Sequence, residues 1–169
     1  MLLISIIMAG FLVGTPANDL PTVQEVDLNR YAGRWYEIAR LPNSFEKGLE
    51  CVTAQYTLKP NGKVEVLNKG YSAKKGVFKS SKGRAWVPDE NYPGRLKVSF
   101  FWPFAGNYYI ISLDKDYAYA LVGDPSRKYL WVLSRTKKLD ETIYSELLAK
   151  ARTYGFDTKT MIRIQHDCK

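Results

Sequence analysis

Cys51-Val52-Thr53-Ala54-Gln55-Tyr56-Thr57-Leu58 alternates residue by residue. Val52, Ala54, Tyr56 and Leu58 are apolar, and Thr53, Gln55 and Thr57 between them are polar. A period of two puts one set on a buried face and the other in water, which is the pattern of a strand with one wet side. Pro60-Asn61-Gly62 follows and signals a tight hairpin. Past that turn Val64, Val66 and Asn68 face one way, and Lys63, Glu65 and Lys69 the other. The same reading continues outward at short, even intervals. It predicts strands over residues 34–41, 51–59, 63–70, 77–87, 95–101, 108–113, 117–122 and 129–135. Leu96, Val98 and Phe100 oppose Lys97 and Ser99 on the fifth, while the fourth, sixth and seventh are ambiguous by alternation. Asp114-Lys115-Asp116 and Gly123-Asp124-Pro125-Ser126 supply two further turns. One helix follows. Asp140 is its expected N-cap, Ile143, Leu147, Ala151 and Tyr154 recur at helical spacing, and Gly155 stands at the C-terminal cap. Eight short strands and one helix predict an all-β fold: an eight-stranded antiparallel up-and-down barrel with one C-terminal amphipathic α-helix. Closure removes both sheet edges, and such a barrel holds either its own side chains or one small ligand.

The composition agrees. A chain of 169 residues is one domain, and 46% apolar with 25% charged residues excludes a disordered, collagenous or polytopic membrane protein. Lys and Arg outnumber Asp and Glu by 25 to 17, for a net charge of +8, which favours anionic partners. The basic residues Lys74, Lys75, Lys79, Lys82 and Arg84 do lie among aromatics, but the others are scattered over outward strand positions, so nucleic acid is not the expected partner. One His and two Cys leave little for a metal site, and neither a metal nor a cofactor is expected. No G-x-S-x-G, Walker or H-E-x-x-H pattern occurs, and the pairs Asp114/Asp116 and Asp89/Glu90 fall in turns, where carboxylates cap backbone donors. The chain reads as a binding protein, not an enzyme.

Residues 2–13 are an apolar run too short to span a bilayer, and Thr15-Pro16-Ala17 offers small residues at a cleavage point. Residues 1–17 are therefore expected to be a signal peptide and residues 18–169 the mature domain, although no Lys or Arg precedes the run. A lipoprotein signal places a Cys at the cleavage point. The first Cys here is Cys51, so export without a lipid anchor is expected, to the periplasm, the outer-membrane periphery or the extracellular medium. Two cysteines in an exported chain, Cys51 and Cys168, read as one disulfide, the alternative being two free thiols.

Three blocks carry a family resemblance. Gly33-Arg34-Trp35-Tyr36-Glu37-Ile38-Ala39-Arg40 looks like the G-x-W signature that opens the first strand of lipocalins. Asp114-Lys115-Asp116-Tyr117 resembles their turn between strands six and seven, with Leu113 in place of the usual Thr. Trp131-Val132-Leu133-Ser134-Arg135 resembles the block that ends the last strand in Arg. The similarity runs from about Val23 to Cys168. Gly48-Leu49-Glu50-Cys51 and Lys97-Val98-Ser99-Phe100-Phe101 place it nearest the apolipoprotein D and bacterial lipocalin branch. That resemblance supports the Cys51–Cys168 pairing. Bacterial members are usually lipid-anchored, from which this chain departs.

The resemblance implies a carrier. In an up-and-down barrel Trp35 and Arg135 lie at the same end, where a guanidinium on an indole would close the floor. Parity with them points Glu37 and Ala39 inward above Trp35. It does the same for Tyr56 and Ala54, Asn68 and Val66, Phe100 and Val98, and Leu133, Trp131 and Tyr129. The positions matching the family pocket include Tyr56, Asn68, Phe100, Trp131 and Leu133. Glu37 either meets a cationic headgroup or pairs with Arg or Tyr neighbours. The expected ligand is a small amphipathic lipid, a fatty acid or lysophospholipid, carried or stored in envelope maintenance. A lipocalin-fold enzyme or a haem or pigment carrier is the alternative function, and aromatics filling the barrel are the alternative structure. At the mouth Trp102 and Phe104 are expected to form a rim that touches an anionic membrane, with Lys47, Lys74 and Lys75, or mediates a dimer; otherwise they fold back as local packing. The chain is expected to be a monomer or homodimer.

Overall fold

Eight strands that each pair only with their sequence neighbours leave two edges, unless the first also meets the last. Here it does. The computed structural model describes residues 19–168, so the expected signal peptide lies outside the described residues. The strands are β1 (Gly33–Arg40), β2 (Leu49–Leu58), β3 (Val64–Ser72), β4 (Val77–Trp86), β5 (Arg95–Phe101), β6 (Phe104–Leu113), β7 (Tyr119–Gly123) and β8 (Leu130–Ser134). Each is antiparallel to the next, and β1 pairs with both β2 and β8, so the sheet closes into a barrel. Helix α2 (Glu141–Thr153) follows, its first turn capped by Asp140 Oδ1, which accepts from the amides of Thr142 and Ile143. Three elements too short to carry a periodic signal complete the chain: α1 (Leu28–Tyr31), a 3-10 turn (Thr158–Thr160) and β9 (Ile162–Arg163), which pairs with β1.

Two apolar clusters explain where alternation was legible. One fills the barrel with Tyr31, Trp35, Tyr56, Val66, Leu96, Ile110, Ala120, Val122 and Leu133. The other lies outside the wall, where Ile38, Leu41, Ile111, Leu121 and Val132 meet Tyr144, Leu147 and Ala151 of α2. Strands β6 and β7 are covered on both faces there, so their polar positions vanish and with them the period of two. The helix buries Tyr144 with Leu147 and Ala151, whereas Ile143 and Tyr154 pack at the margin, so its stripe is turned slightly from the expected one. The turn carboxylates cap backbone amides as expected: Asp114 takes those of Asp116 and Ala118, and Asp89 that of Asn91.

The floor is built from β1, α1 and the segment after β8. Trp35 is fully buried and donates its indole N–H to the Tyr31 carbonyl at 2.8 Å. The Arg135 guanidinium lies 3.9 Å from the centre of the Trp35 ring. Its N–H groups donate to the carbonyls of Arg30, Tyr31, Arg34 and Tyr117, at 2.6, 3.2, 3.0 and 3.2 Å. Gly33 has φ +95°, and a Cβ there would come within 3.3 Å of Arg135 Nη1, so the glycine of the motif serves both backbone and contact. A disulfide joins Cys51 to Cys168 across 117 positions and ties the C-terminal tail to β2, where the Cys51 amide also donates to the Gln165 carbonyl.

Arg135→Ala removes the stacked cation and leaves carbonyls without donors, so it is expected to lower stability by roughly 2–4 kcal/mol in urea unfolding, with the disulfide intact. Replacing both cysteines by Ser is expected to cost about 2–5 kcal/mol in the same assay.

Candidate functional site

The inside of the barrel divides into a filled lower part and an open upper part. Beside Trp35 three tyrosines meet: the Tyr108 hydroxyl lies 2.7 Å from that of Tyr31 and 2.9 Å from that of Tyr56. Burial raises the pKa of all three, Tyr56 to about 12, so the trio is neutral across physiological pH. Beside them is a cavity of about 10 Å³, lined by Leu28, Ala32, Val64, Ala85, Leu96, Val98 and the tyrosines. That is room for about one water molecule. Here the filled-barrel alternative holds. Tyr56 belongs to this filled part, its hydroxyl already bonded, and Leu133 is buried in the same interior cluster.

Higher up, Ala54, Asn68 and Ser81 stand opposite one another on β2, β3 and β4 and share the inward face. Val98 of β5 and Trp131 of β8 also pack with the interior cluster. All five keep solvent-accessible surface on that face. Asn68 Oδ1 is buried with no hydrogen-bond partner. Lys79, opposite Gly70, continues the inward face of β4 toward the mouth. Alternation did not single out Ser81 and Lys79, because residues 77–82 of β4 are exposed and carry no apolar period.

One expectation fails on β1. A bulge between Glu37 and Ala39 shifts the register against β8. Past it, Ala39 joins the cluster under α2 rather than pointing inward above Trp35, and Arg40 faces Trp131. The bulge inserts one residue, which flips every later side chain to the other face. Arg40 is buried and bonds Glu37 Oε1 at 2.6 Å and the Glu46 carbonyl at 2.7 Å. Glu46, from the loop after β1, takes hydrogen bonds from Asn43 at 2.6 Å and from the Trp131 indole at 3.1 Å. Glu37 is thus held in the structural pairing; it is 4% exposed and its partner is Arg40. Arg40, Asn43 and Glu46 were missed, since only the bulge brings them together.

Two carboxylates share one guanidinium here. Burial and the neighbouring Glu46 charge raise the Glu37 pKa well above the usual carboxylate range, only partly offset by Arg40.

At the mouth the two expected readings divide between loops. Phe45 packs on Tyr129 and Trp131, with ring centres 5.6 and 6.5 Å apart, while remaining 61% exposed. On the other side Phe101, Trp102 and Phe104 are 82, 71 and 77% exposed. Phe100, 37% exposed, lies at the inner edge of that cluster, its ring against Gly83. His166 lies outside the cup, bonded to the Glu37 carbonyl at 2.8 Å. Among the described residues no three His, Cys, Asp or Glu side chains form a metal-ligand group.

A barrel closed at one end and open at the other, with an apolar interior, defines a receptacle for a small hydrophobic molecule. The chain belongs to the lipocalin family: the family described as lipocalin-like domain matches residues 26–166. It is 43% identical to the outer membrane lipoprotein Blc of Vibrio cholerae, over 98% of this chain and 96% of that one. It is 36% identical to apolipoprotein D of Macaca fascicularis, over 88 and 82%. Among solved structures, insecticyanin from the tobacco hornworm Manduca sexta matches with a TM-score of 0.69 and 26% identity, over 87% of this chain and 84% of that one. The expected family, and its branch, are thus the observed ones.

The raised Glu37 pKa gives a pH dependence with a definite sign. The folded state holds the proton more tightly, so this group favours folding fully below the ordinary carboxylate value of 4.5. That contribution is lost as pH rises through the raised folded value. Glu37→Gln is expected to flatten this fall in a urea-unfolding series from about pH 4 to about pH 8. An unchanged slope would place the titrating group elsewhere.

Proposed function

We propose that this protein binds a single-chain amphiphile, a fatty acid or lysophospholipid, in its open upper cup and carries or stores it in the cell envelope. The observation that carries this reading is the accessible inward surface of Ala54, Asn68, Val98 and Trp131 above a plugged floor. Burying the chain there gains about 0.8 kcal/mol per methylene. Trp131, Phe100 and Val98 are the apolar wall, Tyr56 and Leu133 the base, and Asn68 Oδ1 an acceptor for a ligand hydroxyl. Glu37 acts by holding Arg40. No step of this function needs catalysis.

The relatives' name, outer membrane lipoprotein, supports an exported protein working beside a membrane. We take residues 1–17 as the export signal and residues 18–169 as the mature domain. Cys51 is committed to the disulfide. Peripheral contact is therefore assigned to the mouth, where exposed Trp102 and Phe104 stand beside Phe101, with Lys47, Lys74 and Lys75 on the other mouth loops drawn to anionic headgroups.

Delipidated protein titrated with lysophosphatidylethanolamine is expected to show saturable quenching of Trp fluorescence at one ligand per chain or per dimer. Trp131→Ala, followed by native mass spectrometry because the reporting indole is removed, should weaken binding about tenfold or more, by loss of roughly 1.5–3 kcal/mol of apolar contact. Absence of saturable quenching, with no acyl lipid seen by native mass spectrometry, would contradict the reading. Trp102→Ser/Phe104→Ser should separately weaken sedimentation with phosphatidylglycerol vesicles about tenfold or more. Unchanged sedimentation removes the membrane-facing rim.

A further inference from the structure

The barrel wall is not equally sealed all round. Strand β4 pairs with β3 along nine positions, from Val64↔Ala85 to Ser72↔Val77. With β5 it pairs at only three: Arg84↔Ser99, Ala85↔Val98 and Trp86↔Lys97. Residues 77–83 of β4 have no ladder partner on the β5 side, and β5 turns away through a bulge between Val98 and Phe101. The wall therefore has a seam in its upper half, level with the open part of the cup.

Side chains close that seam. On the inner side the Phe100 ring covers Gly83, where a Cβ would come within 2.7 Å of Phe100 Cδ1, so only a glycine leaves the ring its place. On the outer side Trp102 reaches across to Arg84, whose guanidinium lies 4.7 Å from the centre of its ring. A groove of about 330 Å³ runs along the seam, lined by Glu65, Lys82, Gly83, Arg84, Ser99, Phe100 and Trp102. Glu65 is paired with Lys59 at 3.3 Å. Among the described residues Lys82 and Arg84 have no carboxylate partner. The groove thus joins two free cations to an exposed indole and to a ring that plugs the way inward.

We propose that this seam is a lateral entry site for a single-chain lipid with an anionic head. The head, a phosphate or a carboxylate, rests on Lys82 and Arg84 while the acyl chain crosses Trp102 and displaces Phe100 into the cup. The proposal rests on lipid binding in the cup and adds a route and a headgroup class. It gives Gly83, Phe100, Lys82 and Arg84 a joint role that a barrel filled from its mouth would not require.

The test is stopped-flow uptake of lipid by delipidated full-length mature protein, with equilibrium affinity measured in parallel. Lysophosphatidylglycerol and oleate are donated separately from neutral phosphatidylcholine vesicles. Lys82→Glu/Arg84→Glu should slow uptake tenfold or more while equilibrium affinity changes less than threefold. Phe100→Ala should speed it. Slowing with both donors assigns the site to anionic heads in general, and slowing with one assigns it to that head. Lys137→Glu/Lys138→Glu, the same change of charge near the floor, serves as control. Equal slowing by the control pair, or an uptake rate that the seam variants leave unchanged, would overturn the proposal. Failure of the unaltered protein to bind either lipid would instead overturn the carrier reading.

Discussion

The Arg135 guanidinium on the Trp35 indole decides what kind of object this barrel is. A closed sheet has two ends, and this contact shuts one of them. It does so with a side chain that also donates hydrogen bonds to carbonyls of α1, β1 and the turn before β7. Those donors tie distant parts of the sequence to one point. With the floor fixed, every inward position acquires a depth. Tyr31, Tyr56 and Tyr108 come next and fill the width with neutral, mutually bonded hydroxyls. Only above them does the interior open, and there the lining becomes mixed.

The second constraint is the bulge in β1. Without it Arg40 would point to the face packed against α2, away from Glu37 and Glu46. The bulge turns it toward Glu37 and Glu46 and lets Ala39, which needs no space, lie against α2. The resulting buried cluster is costly to assemble, since two carboxylates surround one guanidinium. It links β1 to the loop that carries Phe45 and, through the Trp131 indole, to β8. One side of the mouth is thereby stiffened by charge and hydrogen bonds. The opposite side, from β4 to β6, has exposed aromatics and an incomplete ladder. This asymmetry matches a protein that holds its ligand on one wall and admits it beside the other.

Much of the fold was legible because the barrel obeys local rules. The hairpin turn at Pro60-Asn61-Gly62, the Asp140 cap and the alternation of β2, β3 and β5 each act over a few residues. The disulfide follows from two cysteines in a chain read as exported, with support from the family resemblance, and the Trp35–Arg135 floor from that resemblance and from strand parity, which carries over a closed sheet. What was not legible depended on exceptions to parity. Ala39 was assigned inward because a bulge leaves no mark in a run as apolar as Ile38-Ala39. Ser81 and Lys79 escaped because β4 is exposed on both faces near the mouth. The Tyr31 contact escaped because a single helical turn has no period to read. The place of the tyrosine trio, and so the division of the interior, follows from how two separate strands and a helical turn meet.

The central claim is that ligand occupies the upper cup and stops at the tyrosines. Single-tryptophan variants retaining only Trp131 or only Trp35 place a reporter at each depth. A lysophospholipid brominated near the end of its acyl chain quenches an indole it touches. The account predicts strong, saturable quenching of Trp131 and none of Trp35. Equal quenching of both would show the chain reaching the floor, and quenching of neither would remove the ligand from the barrel.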